Sequence, residues 1–334
     1  MKDFMGLKLS PLGVGTYLGD IDQKTSQGYR EVIRLALKEG INLIDTAIVY
    51  RYMRSERDIA QVLKEVERDR VVISTKGGYV PYDVDSGIDP QDYFYQNFID
   101  TGILNPKEMT PQGHSLSPRF IEWCLEKSLS NLNTDYVDVY FLHNPEEQLN
   151  FVDKETFYRR IGEVFEYLEE EVKKGRIRYY GLATWFGFRV PPTNPQYLNL
   201  WHLWSIAQRV AGEDHHFRFI QLPYNLGMLE AYTLKNQELK GESLSTLAMC
   251  QRFGIYVYTS ASIYQGRLIG RVPKALKERL GVDSDVLAGL RFVLSTPGVG
   301  SALVGMSKVE HLRENLKVLS IPRLEKGEFL SLFE

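Results

Sequence analysis

Four side chains that carry charge or move protons stand at, or just beyond, the ends of apolar runs in the sequence. They are Asp45, Tyr50, Lys76 and His143. An ammonium group at the end of an apolar run is costly to bury unless it is paired, and Asp45 is the natural partner of Lys76. A phenol with a pKa of about 10 donates a proton poorly at neutral pH, and we expect the nearby ammonium to lower the pKa of Tyr50. Together with an imidazole that orients a carbonyl, these groups predict proton transfer to or from a substrate oxygen.

Each of the four residues also has an ordinary structural explanation when taken alone. Asp45 fits a loop cap, Tyr50 is one of 20 tyrosines, and His143 fits a hydrogen-bonded core position. A second chemical alternative is a Schiff base formed by Lys76, although a lysine paired with a carboxylate stays charged and is a poor nucleophile. Proton transfer alone does not convert a carbonyl into an alcohol. Because no side chain supplies a hydride, the first interpretation implies a bound cofactor.

The elements that must position these groups follow a regular order along the chain. Eight short runs rich in β-branched and aromatic residues alternate with segments of helical spacing. The runs cover residues 11–18, 41–47, 70–78, 135–144, 176–185, 217–225, 254–262 and 301–306. Alternating strands and helices predict a parallel sheet, and near-continuous apolar strands indicate that both faces are buried. We therefore predict an α/β fold, a closed (β/α)8 TIM barrel formed by residues 1–334 as one domain, in preference to an open doubly wound sheet.

Several residues mark where the predicted helices begin and end. Ser55 and the Ser117-Pro118 pair fit helix N-caps. Gly40 and Gly175 fit the left-handed position that follows many helices. Each of these signals falls between two of the predicted strands, which supports the alternation.

The composition is that of an ordinary globular protein and argues against several functional classes. Lys and Arg number 40 against 43 Asp and Glu, a formal net charge of −3, so no nucleic-acid or membrane-surface partner is expected. The sequence has neither a run of about 18 apolar residues for a membrane span nor the apolar run of a signal peptide. Cys124 and Cys250 lie far apart, which favours a reducing cytoplasm. The His215-His216 pair lacks ligand partners at suitable spacing, so we predict a loop there and no metal site.

Two connections are too long to be simple loops of a barrel. The first covers residues 78–116 and includes Tyr79, and the second begins at Trp185. In a barrel both emerge at the C-terminal face, where active sites of this fold lie. Their aromatic residues therefore fit the wall of an organic substrate pocket, with packing on the rim or a subunit contact as the alternatives.

The segment after Tyr50 has bulky, potentially cationic residues. Tyr52 fits the wall of the same pocket. Arg51 and Arg54 fit attraction of an anionic substrate, and they equally fit a solvated loop whose side chains point away.

Motifs spread over nearly the whole chain resemble those of the aldo-keto reductase superfamily. They are "MGLKLSPLGVGTYLG", "IDTAxxY…SE", "STKGG", "VDVYFLHN", "YYGLAT", "FIQLPYN", "GIYVYTSASIYQGRL" and "LVGMSKVEHLRENL". The resemblance implies an N-terminal β-hairpin before the barrel. It matches Asp45, Tyr50, Lys76 and His143 to the family tetrad, with Tyr50 as general acid and base. It also implies a nicotinamide cofactor held without a Rossmann motif, so the glycine-rich stretches are not taken as dinucleotide fingerprints.

The same resemblance predicts the residues that hold the cofactor. They are Gly15, Thr16, Asp45, Thr184, Gln221, Ser260, Gly266, Arg267, Ser307, Lys308, His311 and Asn315. Gln221 matches the family glutamine that bonds the nicotinamide carboxamide, and Asn315 fits an adenine contact. Ser260 stands where the family often has an aromatic residue stacked on the nicotinamide, and Tyr264 is a candidate replacement. Arg267 fits either a pyrophosphate contact or a solvent-exposed position.

The cofactor that the resemblance favours is NADPH, with NADH as the alternative. Ser307 and Lys308 offer a hydroxyl and a charge to a 2′-phosphate. His311 stands where the family usually has an arginine, and a mostly neutral imidazole is a weaker phosphate partner than a guanidinium.

The resemblance thus implies an NAD(P)H-dependent reductase of small-molecule aldehydes or ketones, reversible toward alcohol oxidation. The alternative from another class is a nucleotide-binding regulatory subunit of the same fold with little turnover, which Ser260 and His311 favour. Sugars, aromatic aldehydes and steroid-sized ketones all fit the aromatic loops, and the oligomeric state is left open.

Overall fold

Twelve strands occur in the chain, and the computed structural model describes all 334 residues. They are β1 (Lys2–Phe4), β2 (Leu7–Leu9), β3 (Leu12–Gly15), β4 (Leu43–Asp45), β5 (Val72–Gly77), β6 (Val137–His143), β7 (Ile177–Ala183), β8 (Phe217–Pro223), β9 (Gln237–Leu239), β10 (Glu242–Leu244), β11 (Tyr256–Ser260) and β12 (Ser301–Gly305). Strands β3 to β8, β11 and β12 close into one parallel barrel, while β1–β2 and β9–β10 form separate antiparallel hairpins. The predicted (β/α)8 barrel is confirmed, and each barrel strand lies inside one of the eight predicted runs.

The helices connect the strands and surround the barrel. They are α1 (Gln23–Lys38), α2 (Arg54–Leu63), α3 (Pro90–Phe94), α4 (Pro118–Leu132), α5 (Lys154–Lys173), α6 (Leu200–Ala211), α7 (Glu230–Thr233), α8 (Thr246–Phe253), α9 (Lys274–Arg279), α10 (Asp285–Ser295), α11 (Val309–Leu316) and α12 (Lys326–Ser331). None of them combines the length and the apolar character that a bilayer crossing requires.

The barrel is filled by side chains and is closed at one end by the predicted N-terminal hairpin. Phe141, Phe219 and Tyr258 belong to a small apolar cluster inside the barrel. Phe4 of the hairpin packs against Phe219 and Tyr256, with ring centroids 5.3 and 5.1 Å away. The interior is therefore a packed core, and the open C-terminal face is where a ligand has room to bind.

Most of the predicted helix boundaries agree with the structure. Gly40 and Gly175 follow α1 and α5 with φ of 86° and 73°, and the Ser117 hydroxyl caps α4 by accepting a hydrogen bond from the Phe120 amide. The prediction that Ser55 caps α2 is wrong. The helix begins at Arg54 with Met53 at the N-cap position, two residues earlier than predicted, and the Ser55 hydroxyl instead donates a 2.7 Å hydrogen bond to the carbonyl of Thr16.

The long connection of residues 78–116 packs mainly against the outer helices. Phe98, within the π-helical segment Tyr95–Ile99, packs on Trp123 of α4 with ring centroids 4.6 Å apart. Arg57 of α2 forms an ion pair with Asp83 at 2.6 Å. The connection is thus fixed to α2 and α4, which favours the rim-packing alternative for most of its aromatic residues.

Candidate active site

The register of the barrel brings the predicted site residues to one end. In adjacent strands Asp45 is level with Gly15 on one side and with Ser74 on the other. Further round the barrel Ala183 is level with both His143 and Gln221. Residues far apart in the chain therefore meet because parallel strands end together at the C-terminal face.

Asp45 and Lys76 form a buried ion pair at this end of the barrel. The Lys76 ammonium donates 2.7 Å hydrogen bonds to Asp45 Oδ2 and to the carbonyl of Thr46. The other carboxylate oxygen of Asp45 accepts hydrogen bonds from Ser74 Oγ at 2.6 Å and from Gln221 Nε2 at 3.0 Å. Burial lowers the pKa of Lys76, and the Asp45 carboxylate opposes that shift. The pair has the near-ideal geometry that a buried ion pair requires.

Tyr50 lies beside this pair, with its hydroxyl free of protein partners. The Lys76 nitrogen is 4.9 Å from the centre of the Tyr50 ring, and the His143 ring is edge-on at 5.9 Å. Burial raises the pKa of Tyr50 well above its ordinary value, and the Asp45 carboxylate and Tyr17 add to the shift. The expectation that Lys76 lowers the pKa of Tyr50 below that of a free phenol is therefore wrong, because desolvation of the ring outweighs the ammonium.

His143 is held in a neutral state by its surroundings. Burial lowers the pKa of His143 well below its ordinary value, and Lys76 and His114 lower it further. His114 is hydrogen-bonded to the backbone of His143, with its Nε2 2.7 Å from the His143 carbonyl. The other ring nitrogen of His114, Nδ1, lies 3.0 Å from Gln148 Nε2. The Gln148 amide is oriented by Arg160, which donates to Gln148 Oε1, so Nδ1 of His114 accepts and Nε2 donates.

The three residues after Tyr50 form a left-handed turn. Arg51, Tyr52 and Met53 have φ of 48°, 54° and 74°. This backbone conformation is unfavourable for residues other than glycine. Arg51 is buried and directed away from Tyr50, with Nε 2.8 Å from the Asp20 carbonyl and a guanidinium nitrogen 2.7 Å from Asp58. Arg51 is therefore a structural anchor of the turn.

Tyr52 of this turn and Arg54, which follows it, lie outside the pocket, and for Arg54 this is the second of its two predicted alternatives, a side chain that points away. Tyr52 is 52% exposed and packs edge-on to Tyr82 at 6.1 Å, so its prediction as a pocket residue is wrong. Arg54 forms an ion pair with Asp85 at 2.8 Å. Neither side chain faces the site.

A cavity of about 810 Å³ opens at the C-terminal face and is lined by most of the predicted site residues. Those that line it are Gly15, Thr16, Asp45, Tyr50, Tyr79, His143, Thr184, Trp185, Gln221, Ser260, Gly266, Ser307, His311 and Asn315. Lys76 lies behind Asp45, with its side chain fully buried. The volume is typical of a site for a small organic ligand or cofactor.

Some predicted cofactor residues lie outside the cavity wall. Arg267 is exposed, and its guanidinium lies 5.5 Å from the ring of Tyr264. Lys308 is exposed at the N-cap of α11. Tyr264 itself packs beside Gly227 and does not line the cavity, so it does not replace the missing aromatic residue at Ser260. Both cations stand next to lining residues, Gly266 and Ser307, at the rim.

Several polar groups in the cavity wall have hydrogen-bonding capacity left over. Gln221 uses its amide nitrogen on Asp45, and its amide oxygen has no partner in the protein. Thr184 Oγ1 donates to the Gln221 carbonyl at 3.4 Å. Asn315 is only 2% exposed, and its side chain makes no hydrogen bond within the protein. A buried amide facing a cavity without a partner is what a polar ligand would satisfy.

Tyr17 and Asn144 are among the lining residues that were not predicted. Tyr17 packs edge-on to Tyr50, with ring centroids 5.0 Å apart, and is 57% exposed at the cavity. Asn144 directly follows His143 and lines the cavity. Both were recoverable, because each stands just beyond a barrel strand, as Asp45 and His143 stand at the ends of theirs.

The His215-His216 pair lies in the loop before β8, as predicted. His216 Nδ1 is 2.8 Å from Glu169, and His215 packs edge-on to Trp204 at 4.3 Å. No group of three or more His, Cys, Asp or Glu side chains has the geometry of a metal site.

Comparison with known proteins gives consistent matches. A family model described as the aldo/keto reductase family matches residues 11–190. Aldo-keto reductase YhdN of Bacillus subtilis (strain 168) is 30% identical over 336 aligned residues, which cover 91% of this chain and 83% of that protein. The NADH-specific methylglyoxal reductase of Escherichia coli (strain K12) is 26% identical over 278 residues, covering 80% of this chain and 68% of that protein.

The similarity extends to solved structures. An aldo/keto reductase from Klebsiella pneumoniae, crystallised in complex with NADP and acetate, has a TM-score of 0.62 at 22% identity. The match covers 97% of this chain and 90% of that one. At this level of identity the similarity concerns the fold.

Proposed function

We propose that this chain, which belongs to the aldo/keto reductase family, reduces an aldehyde or ketone to an alcohol with Tyr50 as the general acid and NADPH as the preferred cofactor. NADH is the alternative cofactor, and residues 1–334 act as one barrel domain. The observation that carries the proposal is a cavity lined by Tyr50, His143 and Asp45, with Lys76 buried behind Asp45 and paired with it.

The cavity fits a nicotinamide cofactor through groups whose hydrogen bonds are unfilled. The free amide oxygen of Gln221 and the hydroxyl of Thr184 would hold the carboxamide, and the unpartnered amide of Asn315 would hold the adenine. Ser307 and Lys308, at the start of α11, would hold phosphate. Reduced nicotinamide supplies the hydride that no side chain of this site can provide.

The remaining steps belong to the chain's own residues. The neutral His143 ring would orient the substrate carbonyl toward Tyr50. The raised pKa of Tyr50 keeps its hydroxyl protonated until the substrate oxygen gains negative charge. The Lys76 ammonium, 4.9 Å from the ring centre, would then stabilise the phenolate that remains after proton transfer. Asp45 holds Lys76 in place and keeps it charged.

Two observations favour the alternative function, a nucleotide-binding regulatory subunit with little turnover. Ser260 provides no aromatic surface in the cavity, and Tyr264 does not replace it. The acidic Glu314 also lines the same wall as His311, which weighs against tight binding of a 2′-phosphate. Both features concern affinity for the cofactor, so binding and turnover must be measured separately.

The test is a titration with NADPH and with NADH, followed by nucleotide fluorescence, and then nucleotide oxidation with a panel of uncharged aldehydes. We expect saturable binding, tighter for NADPH, and aldehyde-dependent oxidation. The matched variant Asn315→Ala should weaken nucleotide binding with little change in kcat at saturating nucleotide. Tight binding without turnover of any aldehyde would favour the regulatory alternative. Absence of binding to both nucleotides would overturn the proposal.

A further inference from the structure

The cavity wall around Tyr50 is aromatic and carries no cation. Tyr17 is edge-on to Tyr50 at 5.0 Å, and Tyr79 is edge-on to His143 at 5.1 Å. Trp185 lines the same cavity, and no lysine or arginine is among its lining residues. Such a wall favours contact with a flat apolar body and offers no cationic partner to a buried anion.

Three cations near this wall form ion pairs with carboxylates of the protein, one of them with Asp45, which itself lines the cavity. They are Lys76 with Asp45, Arg51 with Asp58, and Arg189 with Glu230, at N–O distances of 2.7, 2.7 and 3.3 Å. Arg189 also lies 5.9 Å from the centre of the Trp185 ring system, yet it does not line the cavity. The positive charge near the reacting end is therefore neutralised within the protein.

A carboxylate lies directly behind the wall instead. The Tyr79 hydroxyl donates a hydrogen bond to Glu147 and accepts one from Asn144 Nδ2 at 3.2 Å. The Tyr79 phenol is thus satisfied, and the negative charge of Glu147 is one hydrogen bond away from the cavity. The amide oxygen of Asn144 has no partner in the protein and remains an acceptor. The reacting end is consequently neutral to negative in character.

We propose that the substrate is an uncharged carbonyl compound with an aromatic or similarly flat apolar body, and that a carboxylate-bearing aldehyde of the same shape is rejected. The proposal rests on the proposed reductase function and names its substrate class. Tyr17, Tyr79 and Trp185 contact the apolar body. Asn144 accepts a hydrogen bond from a hydroxyl or amide substituent, and Glu147 repels an anionic one.

The test compares methyl 4-formylbenzoate with 4-formylbenzoate, which have similar shape and differ in charge. We expect kcat/KM for the ester to exceed that for the acid by at least about ten-fold at pH 7, a difference consistent with two like charges several ångströms apart in a partly desolvated site. Glu147→Gln should raise kcat/KM for the acid and so reduce the ester-to-acid ratio of kcat/KM by about three-fold or more. Glu163→Gln, on the outer helix α5, should leave the ratio unchanged.

A second variant separates the charge of Glu147 from its hydrogen bond. Tyr79→Phe removes the hydrogen bond and keeps the charge, so the preference for the ester should persist. Equal kcat/KM for ester and acid, or a preference for the acid, would overturn the inference while leaving the reductase function intact. If Glu147→Gln left the ester-to-acid ratio of kcat/KM unchanged, Glu147 would not be the group that repels the acid. Failure to reduce either compound or any aldehyde of the wider panel would overturn the reductase function, and the inference with it.

Discussion

The Lys76 ammonium and the Asp45 carboxylate meet at 2.7 Å, with side chains 0% and 4% exposed. Asp45 also accepts the Gln221 amide at 3.0 Å, from a strand 176 residues further along the chain. The ion pair therefore ties the opening strands of the barrel to its second half. Because each charge compensates the burial of the other, the pair links the stability of the fold to the chemistry of the site.

Removal of Lys76 alone should be strongly destabilising. Lys76→Met leaves the Asp45 carboxylate buried without a counter-ion, which we expect to lower the free energy of unfolding by roughly 3–5 kcal/mol. Urea denaturation followed by circular dichroism measures this change. The double variant Lys76→Met/Asp45→Asn removes the uncompensated charge and should recover a large part of the loss. A loss below about 1 kcal/mol in the single variant would contradict the account of the pair.

The pH dependence of catalysis should follow the pKa shifts of Tyr50 and His143. The pKa of Tyr50 is raised by burial and that of His143 is lowered by burial, so the hydroxyl stays protonated and the imidazole neutral around neutral pH. We expect kcat for reduction to be flat from about pH 6 to 9, and kcat for alcohol oxidation to rise with pH over that range. A transition near pH 6.5 in the reduction profile would instead indicate a titrating imidazole.

The barrel and the meeting of its strand ends were predictable from the sequence. Eight apolar runs separated by helical segments leave few arrangements other than a closed parallel sheet. Once the barrel is assumed, Asp45, Lys76 and His143 must converge, because they end neighbouring strands. The same rule would have found Tyr17 and Asn144.

Features that depend on burial depth or on backbone strain were not predictable. The direction of the Tyr50 pKa shift follows from how completely the ring is desolvated, and spacing along the chain does not encode this. The left-handed turn at Arg51–Met53 contains no glycine or asparagine, so no local signal marks it. The turn persists because Arg51 and Met53 are buried on either side of Tyr52.

The strain in this turn predicts an unusual order of stability at position 52. Tyr52 has φ of 54° and an exposed side chain, so its substitution removes few contacts. Glycine adopts this conformation freely, whereas alanine incurs about 1 kcal/mol. We expect Tyr52→Gly to be more stable than Tyr52→Ala, a reversal of the usual order, and thermal unfolding of the two variants compares them directly. An alanine variant equal to or more stable than the glycine variant would show that the turn relaxes on substitution.

His114 should make the fold sensitive to acid. Burial lowers the pKa of His114 to about 4, below that of an unfolded histidine, so the unfolded state binds the extra proton and stability falls as pH drops from about 6.5 toward 4. Between pH 7 and pH 5 this group should contribute a loss of about 2 kcal/mol. Urea denaturation at the two pH values should show that the free energy of unfolding of His114→Gln falls less between pH 7 and pH 5 than that of wild type. Parallel losses in both proteins would mean that His114 does not titrate as described.

The most direct test of Tyr50 as the proton donor compares Tyr50→Phe with Tyr52→Phe. Each variant removes one phenolic hydroxyl, but only Tyr50 lines the cavity. Nucleotide binding and aldehyde reduction would be measured for both variants and for wild type. We expect Tyr50→Phe to bind nucleotide as wild type does and to lose kcat by about 10²- to 10⁴-fold, while Tyr52→Phe retains both. A Tyr50→Phe variant that reduces aldehydes at the wild-type rate would contradict the account.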